Sequence, residues 1–204
     1  MQGGMRVSKQ QVIVVTDGDT TAYRGIHAAC QEIGLKVVKA TRGNPTPISG
    51  QPLIDAILAA GEDAQTPVVA MVDDRGEAGT GKGERDLAAI LASDQLEVRG
   101  VIAVAADTRG VAGVVPDLSV DNRQRTVRQA VNKRGQVDGR VLRGDTVDVL
   151  RKFSEIPVVG LGDPGKMEGS DGAAHGSPVT LRALRAILDP KTPAAPGTAV
   201  SHDS

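Results

Sequence analysis

Aromatic residues are nearly absent from this chain. Tyr23 and Phe153 are the only two among 204 residues, and there is no tryptophan. A surface that stacks nucleic-acid bases on aromatic rings is therefore not expected. Net charge is also missing: 24 basic side chains face 25 acidic ones, for a balance of −1. Bulk electrostatics thus favour neither nucleic acid nor an anionic membrane. Cysteine occurs once, at Cys30. That excludes an internal disulfide and a cysteine-rich metal cage. His27 lies three positions before Cys30 on a predicted helix, and the pair is read as packing rather than as metal ligands. No stretch approaches the roughly 18 consecutive apolar residues of a membrane span. The opening MQGGMRVSKQ lacks the apolar core of a signal peptide. A soluble chain is expected, reaching any membrane through a partner.

What is present is aliphatic. Hydrophobic residues make up 40% and charged ones 24%, and the core has to be built from Val, Ile, Leu and Ala. That suits a parallel sheet covered by helices. Strands are predicted at 11–16, 35–40, 67–72, 98–105 and 156–161, with a short edge strand at 117–120. Helices are predicted at 20–34 with Gly34 as C-cap, at 49–61, at 84–92, and at 177–188 with Ser177 as N-cap. The polar, basic stretch 122–152 has weak periodicity and reads as a hairpin-like or loop insertion, then a helix near 145–153. Alternating strands and helices predict an α/β, three-layer Rossmann-like or flavodoxin-like sandwich with a mainly parallel sheet. Its limits are expected at 11–189, with a small basic insertion near 122–143. Residues 1–10 are expected to be flexible and the Pro/Ala/Ser-rich 190–204 disordered.

In such sheets ligands bind beyond the carboxyl ends of the strands, and four strands end in polar signatures: TDGD (16–19), DDRG (73–76), ADTRG (106–110) and GDPGK (162–166). Asp17, Asp19, Asp73, Asp74 and Asp163 are expected to converge there. Carboxylates so close need a hard cation, raised pKa values or basic neighbours. Mg²⁺ and Ca²⁺ are the candidate ions, with Asp17, Asp19 and Asp163 as candidate ligands. Lys82, Arg75, Arg109 and Lys166 are the candidate counter-charges. The bland alternative is that each Asp merely caps a helix or closes an Asx turn.

Two motifs approximate known chemistry. Asp17-Gly18-Asp19-Thr20-Thr21 fits the D-x-D-x-T loop of the haloacid dehalogenase superfamily. On that alternative Asp17 attacks a phosphoryl group, Asp19 is acid/base, Thr108 holds a phosphoryl oxygen and Lys166 neutralises charge, with Mg²⁺ completed by Asp163. GEAGTGKG (76–83) has P-loop spacing, but Gly83 stands where Ser or Thr would bind Mg²⁺. It reads as a Gly-rich loop in which Gly79 and Gly81 offer backbone N–H groups to an anion.

Taken together, VTDGD (15–19), GNPTPISGQ (43–51), DDRGEAGTGKGE (73–84), GVIAVAADT (100–108), GDT (144–146), IPVVGLGDPGKMEGSD (156–171) and GSPVT (176–180) resemble the soluble stage V sporulation protein AE family. The resemblance covers about residues 10–189. It implies a role in endospores, within the SpoVA system that moves dipicolinic acid with calcium into the forespore and releases it at germination. It implies a peripheral place at the spore's inner membrane surface, and other SpoVA proteins and germinant receptors as partners. It carries no catalytic residues over. Three roles stay open on this reading: an interaction module, a sensor of Ca²⁺ or calcium-dipicolinate, and a phosphatase.

Overall fold

The computed structural model describes residues 8–75, 81–108 and 110–189. Seven strands form one sheet in the order β2-β3-β1-β4-β7-β5-β6. They are β1 (Gln10–Val15), β2 (Lys36–Val37), β3 (Val68–Met71), β4 (Leu96–Val104), β5 (Leu118–Val120), β6 (Thr126–Val127) and β7 (Val158–Leu161). All pairings are parallel except β5 with β6. The helices are α1 (Thr20–Gln31), α2 (Gln51–Ala60), α3 (Lys82–Ala92) and α4 (Pro178–Leu188). This is the three-layer α/β sandwich that the alternating pattern predicts.

Period-two alternation divides the aliphatic residues between two cores. Val12 and Val14 of β1 pack with Leu53, Ile54 and Ile57 of α2 and with Leu87 and Ile90 of α3. Ile13 and Val15 point the other way, to Ile26 and Ala29 of α1 and to Leu184 and Ile187 of α4. The central strands are therefore buried on both faces, which is why they read as continuous apolar runs.

Several local expectations are corrected. The second strand is two residues long, because the chain turns into a 3-10 helix at Lys39–Thr41. The stretch 145–153 holds a 3-10 helix, Asp148–Lys152, rather than an α-helix. Strand β5 is not an edge: it lies between β7 and β6. Ser177 does not cap α4 with its side chain, since it sits at φ +46° and its hydroxyl donates to the Asp171 carbonyl at 2.9 Å. Asp171, fully buried, takes that role. Its Oδ1 accepts from Val179 N and Thr180 N at 2.8 and 2.9 Å, and its Oδ2 from Thr180 Oγ1 at 2.6 Å and Gly165 N at 2.8 Å. One carboxylate thus fastens the start of α4 to the loop that carries Lys166.

The chain order reverses beside β1. Strands β2 and β3 lie on one side of it, and β4 and all later strands on the other. Such a switch point opens a crevice at the carboxyl ends of the strands.

Candidate functional site at the strand ends

That crevice is an acidic cavity of about 140 Å³. Its lining includes Thr16, Asp17 and Asp19 after β1, Asp73 after β3, Ala105 and Ala106 after β4, and Asp163 and Lys166 after β7. Asn44 and Asp145 complete it from loops. The four polar strand ends do converge. Each acid, however, is held differently.

Asp17 follows Thr16, whose hydroxyl accepts from Val104 N at 2.9 Å and so bridges β1 to β4 where they diverge. Asp17 Oδ1 accepts from Asp19 N at 3.0 Å, an Asx turn. Burial nonetheless pushes its carboxyl up to about 7; the neighbouring Asp19 and Asp73 charges push the same way, against the Asp19 N–H. Asp19 is the N-cap of α1: its Oδ1 accepts from Ala22 N at 2.7 Å, and its Oδ2 from Lys166 Nζ at 2.8 Å. Burial would raise it, but the Lys166 and Ala22 bonds outweigh burial and hold it below the usual carboxylate range. Gly18 is pressed against the Gly43 carbonyl and the Asp73 side chain, where no Cβ fits. Its N–H donates to Asp73 Oδ2 at 2.9 Å.

Asp73 is raised by burial, with the Asp145 and Asp74 charges adding to it, although it accepts from Arg75 N and Gly18 N. Asp163 is raised by burial, partly offset by Lys166 and Lys133. Lys166 lies 3.8 Å from Asp163 as well as against Asp19. Burial lowers its ammonium, yet the Asp19 bond and the Asp163 charge win and raise it. It is the basic residue of the cavity lining.

Asp73, Asp74 and Asp145 each offer a carboxylate oxygen, and the three lie within 4.8 Å of one another. Among the described residues this is the group with the spacing of a metal site. The set expected from sequence, Asp17, Asp19 and Asp163, is not gathered in this way; Asp19 and Asp163 meet at Lys166 instead. A set made of carboxylates alone suits a hard cation such as Ca²⁺ or Mg²⁺ better than Zn²⁺, whose sites are built largely on Cys and His. Beside the trio sits Thr146, buried at 1% exposure, with φ +66°. Its hydroxyl has no protein partner. A Cβ at Gly83 would fall 2.5 Å from that hydroxyl and 3.1 Å from Asp74 N, so the first turn of α3 lies close to both. A buried hydroxyl with nothing to bond is costly, at about 1–3 kcal/mol, and a ligand would relieve it.

Two further expectations fall elsewhere. Lys82 does not neutralise the cluster: its ammonium donates to the Thr46 and Ile48 carbonyls and pairs with Asp86 at 3.6 Å, fixing the loop that carries Asn44. Thr108 donates to Asp145. Gly79 and Arg109 lie outside the described residues. Gly81 is the N-cap of α3, its N–H bonded to Glu84 Oε2 at 2.8 Å, and a Cβ there would fall 2.6 Å from Asp74 Oδ2. Asp145 and Asn44, which line the cavity, and Thr146 beside Asp145 are absent from the candidates read off the sequence. The GDT triplet at 144–146 was a signal for two of them, but no strand precedes it, so the strand-end rule passes it over.

No curated protein and no solved structure matches the chain. The family described as stage V sporulation protein AE1 matches residues 11–190, which span all of the sheet but Gln10 and every residue of the cavity. The chain belongs to the stage V sporulation protein AE1 (SpoVAE) family.

Proposed function

We propose that this sporulation protein is a cation-dependent ligand sensor of the SpoVA system. On this reading it binds Ca²⁺, and with it dipicolinate, in the strand-end cavity, and signals the bound state to other SpoVA proteins or to a germinant receptor at the spore's inner membrane surface. Among the described residues no helix is long and apolar enough to cross a membrane, so the reading places the chain there through those partners.

The observation that carries the proposal is the trio Asp73, Asp74 and Asp145, with carboxylate oxygens within 4.8 Å, of which Asp73 and Asp145 line a cavity with one lysine. Charges so arranged repel unless an ion or protons intervene. The raised carboxyls of Asp17 and Asp73 and the unpaired Thr146 hydroxyl support the same reading. Asp73, Asp74 and Asp145 would hold the ion, Asp17 would face it, and Lys166 would meet an anion at the far side. Calcium takes about 6–8 oxygen ligands, so a chelating dicarboxylate would supply those the protein does not.

The phosphatase alternative uses the same loop, and Asp17, with its pKa near 7, suits proton chemistry. It stands second because both oxygens of Asp19 are engaged and its pKa is lowered, which ill suits a general acid. It requires Mg²⁺-dependent turnover of a small phosphoester that Asp17→Asn abolishes.

Calorimetric titration with Ca²⁺, Mg²⁺, and Ca²⁺ plus dipicolinate tests the first reading. Wild type should bind, and Asp73→Asn/Asp145→Asn should lose binding while keeping its circular dichroism spectrum. No heat from wild type with any of these ligands overturns the sensor and leaves a protein-docking module.

A further inference from the structure

A second cavity, of about 180 Å³, adjoins the acidic one. The residues common to both linings are alanines, Ala105 and Ala106, so only small side chains stand between them. The second lining differs in character. Its walls are apolar at Val131 and Val141, and it carries Asn132, Lys133 and Arg143 together with Asp107, Thr108 and Asp138.

The charges here are not all committed. Lys133 Nζ pairs with Asp107 at 2.7 Å and feels Asp163 of the first cavity. Arg143 pairs with no carboxylate among the described residues. Its backbone is nevertheless fixed: Ala106 N donates to the Arg143 carbonyl at 2.9 Å, and Gly144 is packed tightly on the Val104 carbonyl. The exposed Arg143 side chain therefore leaves a fixed point of the backbone at the lining of this second cavity. Asp138 is exposed, as Arg143 is, and no ion pair joins the two. The bond from Thr108 to Asp145 links the two linings directly.

We infer that this cleft is the anion half of a two-part site: it takes a small organic acid whose carboxylate pairs with Arg143, whose apolar body lies on Val131 and Val141, and whose far oxygens reach past Ala106 toward the acidic cavity. Arg143 suits this because a planar guanidinium grips a carboxylate through two parallel N–H bonds. The inference deepens the sensor reading, on which the coupling of the two halves rests. It also assigns ligand specificity to a basic residue far from the D-x-D loop.

The test uses the full chain and three probes: Ca²⁺ alone, dipicolinate with and without Ca²⁺, and inorganic phosphate. Arg143→Gln, a substitution at an exposed side chain, should weaken dipicolinate about tenfold or more, as expected for a lost charge-assisted bond. It should leave the affinity for Ca²⁺ alone unchanged. Phosphate, which has no apolar body, should bind wild type at least about tenfold more weakly than dipicolinate. Equal dipicolinate affinity in wild type and Arg143→Gln overturns the cleft, as does phosphate binding as tightly as the dicarboxylate, or no dipicolinate binding in either condition. Failure of the sensor reading looks different: Ca²⁺ gives no heat with wild type, while any dipicolinate binding still depends on Arg143.

Discussion

Asp17 sits just beyond the carboxyl end of β1, and its neighbours decide its charge. One backbone N–H and the cation of Lys166 favour the carboxylate; burial and the Asp19 and Asp73 charges favour the acid and win, taking it to about 7. The consequence for stability has a definite sign. The folded pKa lies above the unfolded value of 3.8, so the native state binds the proton more tightly. The stability contributed by protonated Asp17 is fully present below about 3.8 and is lost as pH rises through about 7. The melting temperature in chelator should therefore fall between pH 4 and pH 7, and Asp17→Asn, which stays neutral throughout, should flatten that fall. Thermal melts across this range check it; parallel slopes for wild type and variant would remove Asp17 as the source. Saturating Ca²⁺ should also flatten the wild-type slope, since a cation favours the ionised form.

The elements matter through how closely they meet. Helix α1 brings Asp19 to the cavity and α4 steadies the Lys166 loop through Asp171, and the contact between α1 and that loop is made by two glycines. A Cβ at Gly25 would lie 2.6 Å from Gly165 Cα and 2.7 Å from Gly165 N. Alanine is the better helix former by about 1 kcal/mol, but overpacking costs about 1–3 kcal/mol. Gly25→Ala should thus destabilise the protein by about 1–2 kcal/mol in urea denaturation, despite its helix preference, and should weaken ligand binding by displacing Lys166. Stabilisation by the substitution would show that the loop yields freely. Periodicity had revealed this helix and the other three, because helix and strand periods are written in the order of apolar residues. Their partners were not so written. Ser177 has the residue type and place of an N-cap, yet the cap is Asp171, six positions earlier, because a chain bend at Gly176 and Ser177 carries it over the helix start. In the same way Lys82 has the charge for the acid cluster, but helix α3 turns it toward the Thr46 and Ile48 carbonyls.

At the scale of the molecule, a net charge of −1 conceals a marked separation. The acids crowd the carboxyl edge of the sheet, whereas Arg125, Lys133 and Arg134 of the basic segment pair with Asp121, Asp107 and Glu168. Composition therefore could not reveal the cavity; the strand-end rule could, and it pointed to Asp17, Asp19, Asp73, Asp163 and Lys166 of its lining, and to Asp74 beside Asp73, because each follows a parallel strand. It missed Asp145, Thr146 and the Arg143 cleft, which arrive on a loop held by the isolated pairing of Val114 with Leu142, a long-range contact with no periodic trace. The separation itself makes a prediction for the whole fold. A ligand that binds only the native state stabilises it by about 2.7 kcal/mol at a hundred times its Kd. For a chain of this size each kcal/mol moves the melting temperature by about 2–4 °C, so Ca²⁺ at that level should raise it by about 5–10 °C. Asp73→Asn/Asp145→Asn removes two of the repelling charges, so without ion it should melt no lower than wild type, and Ca²⁺ should then leave it unmoved. If Ca²⁺ shifts the double variant as far as wild type, the trio does not hold the ion. If the variant melts far below wild type in chelator, the two carboxylates serve the fold through their hydrogen bonds rather than the site through their charge.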